Sequence, residues 1–186
     1  ISTPLELTRL AARLDVVGIK TNFTRPELLG RTVTIESITV DNQKTASRFF
    51  SHDYWGAVVT AGNLGTSPST PMDLVVDNNT SLSEIAYRTY VMENDGSEQP
   101  TELLIKATIS AKDPYQARTR EFRAVINEKG LSAYGHNFVK RNYVYKIIIS
   151  FNDDSFEEEE LYASVDINII VAEWDREIIE IPAIDN

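Results

Sequence analysis

Cysteine is absent from this chain of 186 residues. Its absence excludes disulfide bonds, thiolate zinc ligands and cysteine nucleophiles within these residues. Packing and hydrogen bonding must therefore stabilise the fold. Cysteine-free chains occur both in the cytosol and among secreted proteins that do not rely on disulfides, so the compartment is not decided by this feature.

Basic residues are also in deficit, because 18 Lys and Arg face 28 Asp and Glu and give a net charge of -10. A chain without a basic patch has little attraction for phosphate backbones or anionic lipids, so we predict no nucleic-acid partner. No run approaches the ~20 apolar residues of a membrane-spanning helix. The opening residues 1–4, Ile-Ser-Thr-Pro, do not resemble a signal peptide, so we expect any export signal to lie upstream of residue 1.

Residue patterns that carry chemistry are scarce. The two histidines, His52 and His136, have no partner at metal-ligand spacing, and the G-x-S-x-G pattern of a hydrolase nucleophile does not occur. The acidic run at residues 153–160 lacks the D-x-[DN]-x-[DN]-G register of a calcium loop. We interpret this run as an exposed, self-repelling hairpin tip, with cation binding as the alternative. The sequence predicts no catalytic residue, no metal ligand and no cofactor.

Alternation with a period of two residues dominates the chain and predicts an all-β fold. The best strand is 143–151, in which one face is uniformly apolar or aromatic, and 163–171 follows as its antiparallel hairpin partner. Further strands are predicted at 86–92, 101–109 and 119–127. We expect the core of the hairpin to contain Tyr145, Ile147, Ile149, Val165, Ile167 and Ile169.

Two segments shift their alternation by one residue. In residues 5–16 the slip lies near Arg9, and in residues 32–40 it lies between Ile35 and Ile38; each slip predicts a β-bulge. A helix over residues 5–14 is the alternative for the first segment, since its leucines also fit helical spacing. Roughly seven strands with turns between them favour two packed antiparallel sheets over a barrel.

The predicted sandwich domain covers residues 1–174, with a long loop-rich excursion at 41–85 in which Ser, Thr, Asn, Gly and Pro accumulate. Within this excursion, Gly62 to Gly65 is interpreted as a flexible loop. Aromatic residues there and later in the chain could stack on sugars, although core or loop-anchoring aromatics are commoner. The aromatic residues considered for stacking are Tyr54, Trp55, Tyr134 and Tyr143.

A C-terminal tail, residues 175–186, follows the last predicted strand and is unusually apolar for a chain end. It is either an edge strand of its own sheet or a donor strand that pairs into a neighbouring molecule. The tail carries isoleucine on both faces, which favours the donor interpretation, because an ordinary edge strand keeps one face polar. The candidate donor residues are Glu177, Ile178, Ile179, Glu180, Ile181, Ala183 and Ile184.

Three motifs occur in order along the chain. The first is an Arg followed by x-x-A-R, the second is Y-V-x-E-N, and the third is R-N-x-x-Y leading to a hairpin that ends in Trp. The residues that carry them are Arg9, Ala12, Arg13, Glu93, Asn94, Arg141, Asn142, Tyr145 and Trp174. Together these motifs resemble those of the fimbrillin family of pilus subunits. About half of the chain, chiefly residues 22–88, shows no such match. The N-terminal sandwich domain and lipobox cysteine of family members are also missing here.

The resemblance implies a transthyretin-like sandwich and a structural role, without enzymatic activity, as the C-terminal domain of a type V pilus subunit. It further implies lipoprotein export, maturation by an arginine-specific protease and assembly by strand exchange on the surface of Gram-negative anaerobes. The expected partners are other pilus subunits. A tip adhesin or anchoring subunit with a host or bacterial surface ligand is one alternative, and a glycan-binding sandwich of a surface lipoprotein is another.

Overall fold

The computed structural model describes residues 9–47, 64–80, 82, 84–130, 135–157 and 165–174. Two four-stranded sheets face each other, with strand orders β10-β9-β1-β6 and β5-β2-β7-β8, and two short strands, β3 and β4, pair beside them. The strands are β1 Ala11–Thr21, β2 Val33–Asp41, β3 Gln43–Lys44, β4 Leu64–Gly65, β5 Thr70–Val76, β6 Tyr87–Met92, β7 Glu102–Ile109, β8 Arg118–Val125, β9 Tyr143–Phe151 and β10 Asp166–Glu173. No helix within these described residues is long and apolar enough to cross a membrane.

The C-terminal hairpin is confirmed. Strands β9 and β10 pair antiparallel, with Ile147 opposite Ile169 and Ile149 opposite Ile167. All other neighbouring strands are antiparallel as well, except that β1 runs parallel to β9 in the centre of the first sheet. This parallel pair was not predicted, because the pattern within a single strand carries no information about which distant strand becomes its neighbour.

The apolar faces of both sheets form one core, and the all-β, two-sheet sandwich is confirmed. Tyr145, Ile147, Ile149 and Ile169 are buried, while Val165 and Ile167 are partly buried against the same cluster. Phe122 of the second sheet meets Phe151 of the first edge to face, with ring centroids 5.1 Å apart. Contacts of this kind hold the sheets together, because aromatic rings bury large apolar areas.

Strand β1 corrects two expectations. The helical alternative is wrong for residues 11–14, which are extended; residues 5–8 lie outside the described part of the chain. The bulge lies between Val16 and Gly18 and not near Arg9, which precedes the strand. A Cβ on Gly18 would sit 3.3 Å from Cγ2 of Ile148, so glycine permits the close approach of β9 at the bulge. The second predicted bulge is confirmed between Ile35 and Ser37.

The described residues of the loop-rich excursion at 41–85 include three strands, the longest being β5, which pairs with β2 and forms an edge of the second sheet. Met72, Leu74 and Val76 alternate toward the core, but a Ser- and Pro-rich approach obscures this short pattern in the sequence. Pro71 is compatible with an edge strand because one side of its backbone needs no ladder hydrogen bond. Residues 48–63, 81 and 83 lie outside the described part.

The acidic turn after β9 is not the solvated tip that the sequence indicated, at least over residues 152–157. Phe156 is buried and packs against Phe122, with centroids 5.3 Å apart. Asp153 accepts hydrogen bonds from the amide and hydroxyl of Thr24, and Arg25 pairs with both Asp154 and Glu157. The repulsion among these acidic side chains is thus offset by the segment between β1 and β2, which the sequence pattern did not place beside the turn. Residues 158–164 lie outside the described part, and the described residues contain no cluster suited to a metal ion.

Candidate functional site

The three motifs converge on one end of the first sheet, which we name the motif end. Because β1 and β9 are parallel while β6 and β10 run against them, the starts of β1 and β9 meet the ends of β6 and β10. Every motif residue lies just before one of these starts, within its first three positions, or just beyond one of these ends. Four segments that are distant in sequence therefore form a single cluster.

A buried ion pair forms the centre of the motif end. Arg141 Nε donates to Glu93 Oε1 at 3.0 Å, and a second guanidinium nitrogen of Arg141 donates to the same oxygen. Ser47 joins both partners, since its hydroxyl accepts from Arg141 at 2.8 Å and donates to Glu93 at 3.1 Å. The side chains of Glu93 and Arg141 are only 2% and 7% exposed. Buried charges of this kind persist only when they are paired and hydrogen-bonded.

Asn94 ties the loop after β6 to the surrounding chain. Its amide group donates to the carbonyls of Asn42 and Gln99 at 3.0 and 2.8 Å, and its side-chain oxygen accepts from the amide of Gly96. Its backbone pairs with Val139 in an isolated bridge. A fully buried asparagine with all these partners fixes the loop geometry, because leaving any of its polar groups unpaired would be costly.

Asn142 and Tyr145 organise the entry into β9. Asn142 has φ of 64°, a left-handed conformation that asparagine tolerates better than most residues. The backbone N–H of Asn142 donates to the Ala11 carbonyl, and the backbone carbonyl of Asn142 accepts from the Trp174 N–H, both at 3.0 Å. The buried Tyr145 hydroxyl accepts from the Lys140 amide at 2.7 Å and lies 2.9 Å from Nε2 of His136. The R-N-x-x-Y motif thus encodes a strand-entry turn.

Trp174 joins the two ends of the described chain. Its ring stacks on Tyr90, with centroids 5.6 Å apart, and the guanidinium groups of Arg9 and Arg13 lie 4.7 and 5.1 Å from the Trp174 ring centroid. Arginine over an aromatic face is attracted by the ring quadrupole. The segment that enters β1 and the segment that leaves β10 therefore meet around one indole. Ala12, the remaining motif residue, is buried in the core behind them.

One buried acidic residue near the motif end, Asp15, was not recognised from the sequence. Asp15 is buried in the middle of β1, where Arg88 forms a two-pronged ion pair with it at 2.7 and 3.1 Å and Arg13 approaches to 3.1 Å. The hydrogen bonds that Arg88 donates to Asp15 raise the pKa of Arg88 above its usual value, and the negative charge of Asp15 adds to this. The available signal was an aspartate set between Leu14 and Val16 in an otherwise apolar strand.

Several predicted residues fall outside the described part of the chain. These are the donor-strand candidates Glu177, Ile178, Ile179, Glu180, Ile181, Ala183 and Ile184, together with His52, Tyr54, Trp55 and Tyr134. Tyr143 is described, and its ring packs against His136 with centroids 4.6 Å apart. This contact fits an anchoring role better than an open sugar-stacking face. The motif end consists of mutually satisfied charges and aromatic contacts, which suit it to holding chain segments in place.

Comparison with known proteins places these observations in a family. The family described as "Fimbrium tip subunit Fim1C-like, C-terminal domain" matches residues 10–174. A candidate fimbrium tip subunit, Fim1C, of Parabacteroides distasonis is 42% identical over 159 residues, which cover 84% of this chain and 42% of that protein. The chain thus spans less than half the length of this curated relative.

Solved structures agree in fold. The crystal structure of a candidate cell adhesion protein from Parabacteroides distasonis superposes with a TM-score of 0.82 at 36% identity, covering 93% of this chain and 54% of that one. A fimbrilin from Porphyromonas gingivalis superposes with a TM-score of 0.52 at 17% identity over 90% of this chain and 58% of its own, which supports the fold alone.

Proposed function

The chain belongs to the family of C-terminal domains found in Fim1C-like fimbrium tip subunits, and on this premise we propose that it is the C-terminal domain of a fimbrium subunit that joins its neighbours by strand exchange. The family is one of fimbrium subunits, which supports a structural and adhesive role without enzymatic activity. The proposed location is outside the cell, on a fimbrium attached to the outer membrane, and the proposed partners are other subunits of the same fimbrium.

The observation that carries the proposal is the meeting of Arg9 and Trp174 at the motif end. The tail after Trp174 therefore starts beside Arg9, the residue that leads into β1. In a longer subunit, this starting point lies beside the segment that precedes the domain. A tail that starts at such a junction can reach a second subunit without disturbing the sandwich. The side chains of Trp174, Tyr90 and the two arginines hold its starting point in place.

The sequence of the tail supports a donor role. Burying Ile178, Ile179, Ile181 and Ile184 would gain on the order of 6 to 12 kcal/mol, and main-chain pairing in a groove would add to this. Ordering about eight residues costs roughly 1 to 2 kcal/mol each. The two contributions are of similar size, so durable docking requires a deep groove that covers both faces of the tail.

A position at the fimbrium tip is the second candidate. The matching family and the Parabacteroides distasonis relative are both described in terms of a tip subunit. A tip subunit needs one junction, to the subunit beneath it, and leaves the rest of its surface open to a ligand. We therefore favour the tip position over a stalk or anchor position within the same assembly.

Site-specific photo-crosslinking in the full-length subunit tests the donor strand. A photoreactive residue at position 181 should crosslink to a second fimbrium subunit, whereas the same residue at position 170 should not. Ile170 is the matched control, because it is an exposed isoleucine on β10. Crosslinks at position 181 that form only within the same chain would assign the tail to its own sandwich and contradict strand exchange.

A deletion separates assembly from folding. Removing residues 177–186 should leave the melting temperature of the domain nearly unchanged and abolish incorporation of the subunit into fimbria. The physical reason is that the tail gains little free energy where no groove covers both of its faces. A large loss of stability with normal incorporation would show that the tail stabilises its own domain.

A further inference from the structure

The end of the sandwich opposite the motif end, which we name the distal end, contains a cavity of about 230 Å³. Three connections wall it: the segment between β1 and β2, the turn between β7 and β8, and the turn after β9. Because β1 and β9 finish here, this end points away from the segments that enter at Arg9 and leave at Trp174. In a subunit attached through the motif end, the distal end is the exposed one.

The walls of the cavity are fixed to one another by hydrogen bonds. Lys112 donates to the carbonyls of Pro26 and Leu29 at 3.0 and 2.7 Å, which fastens the β7–β8 turn to the β1–β2 segment. Arg118 donates to the Phe156 carbonyl at 2.6 Å and so joins β8 to the turn after β9. A cavity built from mutually fastened loops is preformed, and a ligand does not have to order it on binding.

Charge inside the cavity is unevenly distributed. Three arginines and three acidic residues line it, but Arg25 already pairs with Glu157 and, beyond the cavity wall, with Asp154. Arg31 is buried at 6% exposure and donates to two neutral carbonyls, of Ser110 at 2.7 Å and Gln116 at 2.9 Å. Among the described residues, no carboxylate forms an ion pair with it.

A second cation, Arg118, lines the same cavity and acts on Arg31. Burial lowers the pKa of Arg31, and the positive charge of Arg118 in the same cavity lowers it further. Two like charges close together in a poorly solvated site repel each other. A carboxylate matches the planar geometry of a guanidinium group and would give Arg31 an ionic partner.

An aromatic ring stands at the mouth of the cavity. Tyr115 is 46% exposed, although its backbone is held in the turn by paired hydrogen bonds with Lys112. Exposed aromatic rings beside polar groups are suited to stacking on the C–H face of a sugar. The cavity volume falls below the roughly 300 to 1,000 Å³ that is usual for drug-sized ligands, so it fits a single small unit.

From these features we propose that the distal cavity binds a carboxylated sugar residue, with Arg31 and Arg118 holding its carboxylate and Tyr115 stacking on its ring. The class comprises uronic and sialic acids, presented singly or as the end of a glycan. The identification of the distal end as the exposed one depends on the proposed role at the fimbrium tip. The binding itself does not, because all the described residues that line the cavity belong to this 186-residue chain.

Titration of the isotopically labelled chain by NMR tests the site, with glucuronate as the probe. Saturable shifts should appear in the amides of residues 25, 27–31 and 115–118 and weaken as salt is added. Glucose, which lacks the carboxylate, should bind at least about tenfold more weakly, in line with the worth of a charge-assisted hydrogen bond. Acetate and a short peptide with a free C-terminal carboxylate complete the set of ligands, because they carry the anion without the sugar.

Two variants with a matched control locate the binding. Tyr115→Ala should weaken glucuronate binding about threefold to tenfold. Arg31→Lys should weaken it about tenfold or more, because lysine lacks the planar guanidinium group that can bind a carboxylate through two parallel hydrogen bonds. Tyr90→Ala, at the motif end, should leave it unchanged, since Tyr90 is a similarly exposed tyrosine on the opposite end. Because Arg31 is buried, the NMR spectrum of the Arg31→Lys variant is first checked for a folded protein. If that variant is unfolded, the effect of Tyr115→Ala alone tests whether glucuronate binds in this cavity.

Equal affinity for glucose and glucuronate, or no saturable shift with any probe, would overturn carboxylate recognition. Tighter binding of acetate or of the peptide than of glucuronate would overturn the sugar assignment. An equal effect of Tyr90→Ala would show that the variants act globally and not at this cavity. Each of these outcomes leaves crosslinking by the tail unaffected, so failure here is distinguishable from failure of the proposed assembly.

Discussion

Breaking the buried ion pair between Glu93 and Arg141 should lower the free energy of unfolding more than breaking an ion pair on the surface. Replacing Arg141 by Met leaves the Glu93 carboxylate buried without the guanidinium group that donates to it. Loss of one partner from a buried pair costs about 3 to 5 kcal/mol. For a domain of this size that corresponds to a fall in melting temperature of about 6 to 20 °C.

A double-mutant cycle measures the coupling. Glu93→Leu removes the carboxylate from the buried guanidinium group and should lower the free energy of unfolding by a similar amount. The double variant Glu93→Leu with Arg141→Met removes both charges, so its loss of stability should be far smaller than the sum of the two single losses. Urea denaturation of the four proteins gives the free energies of unfolding. The structural basis is that both side chains are buried and bonded to each other at 3.0 Å.

A surface pair supplies the control. Arg123 and Glu102 lie 3.1 Å apart with their side chains 38% and 17% exposed, so Arg123→Met should cost less than about 1 kcal/mol. If Arg141→Met costs as little as Arg123→Met, or if the two single effects at the buried pair simply add, then Glu93 and Arg141 do not stabilise the motif end as a coupled pair.

Two further predictions concern the core and the distal end. Ile147→Asp should abolish cooperative unfolding, because it places a charge where the side chain is fully buried between the sheets, whereas Lys146→Asp on the exposed face should leave a cooperative transition; an unchanged melt for Ile147→Asp would refute the core assignment. Hydrogen bonds from the hydroxyl and amide of Thr24, and the charge of Arg25, lower the pKa of Asp153, so its stabilising contribution is complete above its ordinary pKa and is lost as the pH falls through the lower folded value. Asp153→Asn should therefore flatten the decline of stability in acid, below about pH 3.8, and an acid denaturation profile identical to that of the parent chain would contradict this.

The fold class and most strands could be predicted from local patterns, because alternation with a period of two is a local property. Strand β9 was predicted with its observed bounds, and its hairpin with β10 followed from their adjacency along the chain. The bulge in β2 was also readable, since a slip of one residue moves apolar side chains to the other face. The motif residues could be selected individually, but their mutual contacts could not.

The contacts between distant segments could not be predicted from those local patterns. The parallel pairing of β1 with β9 brings Arg9, Glu93, Arg141 and Trp174 to one end, and nothing in the local patterns of these segments encodes that register. The acidic turn after β9 shows the same limit: its charges suggest repulsion in the sequence, but Thr24 and Arg25 offset them from a loop 129 residues away along the chain. Pairing between strands depends on the summed burial of whole faces and on hydrogen bonds between remote backbones, and these quantities exist only once the chain has folded.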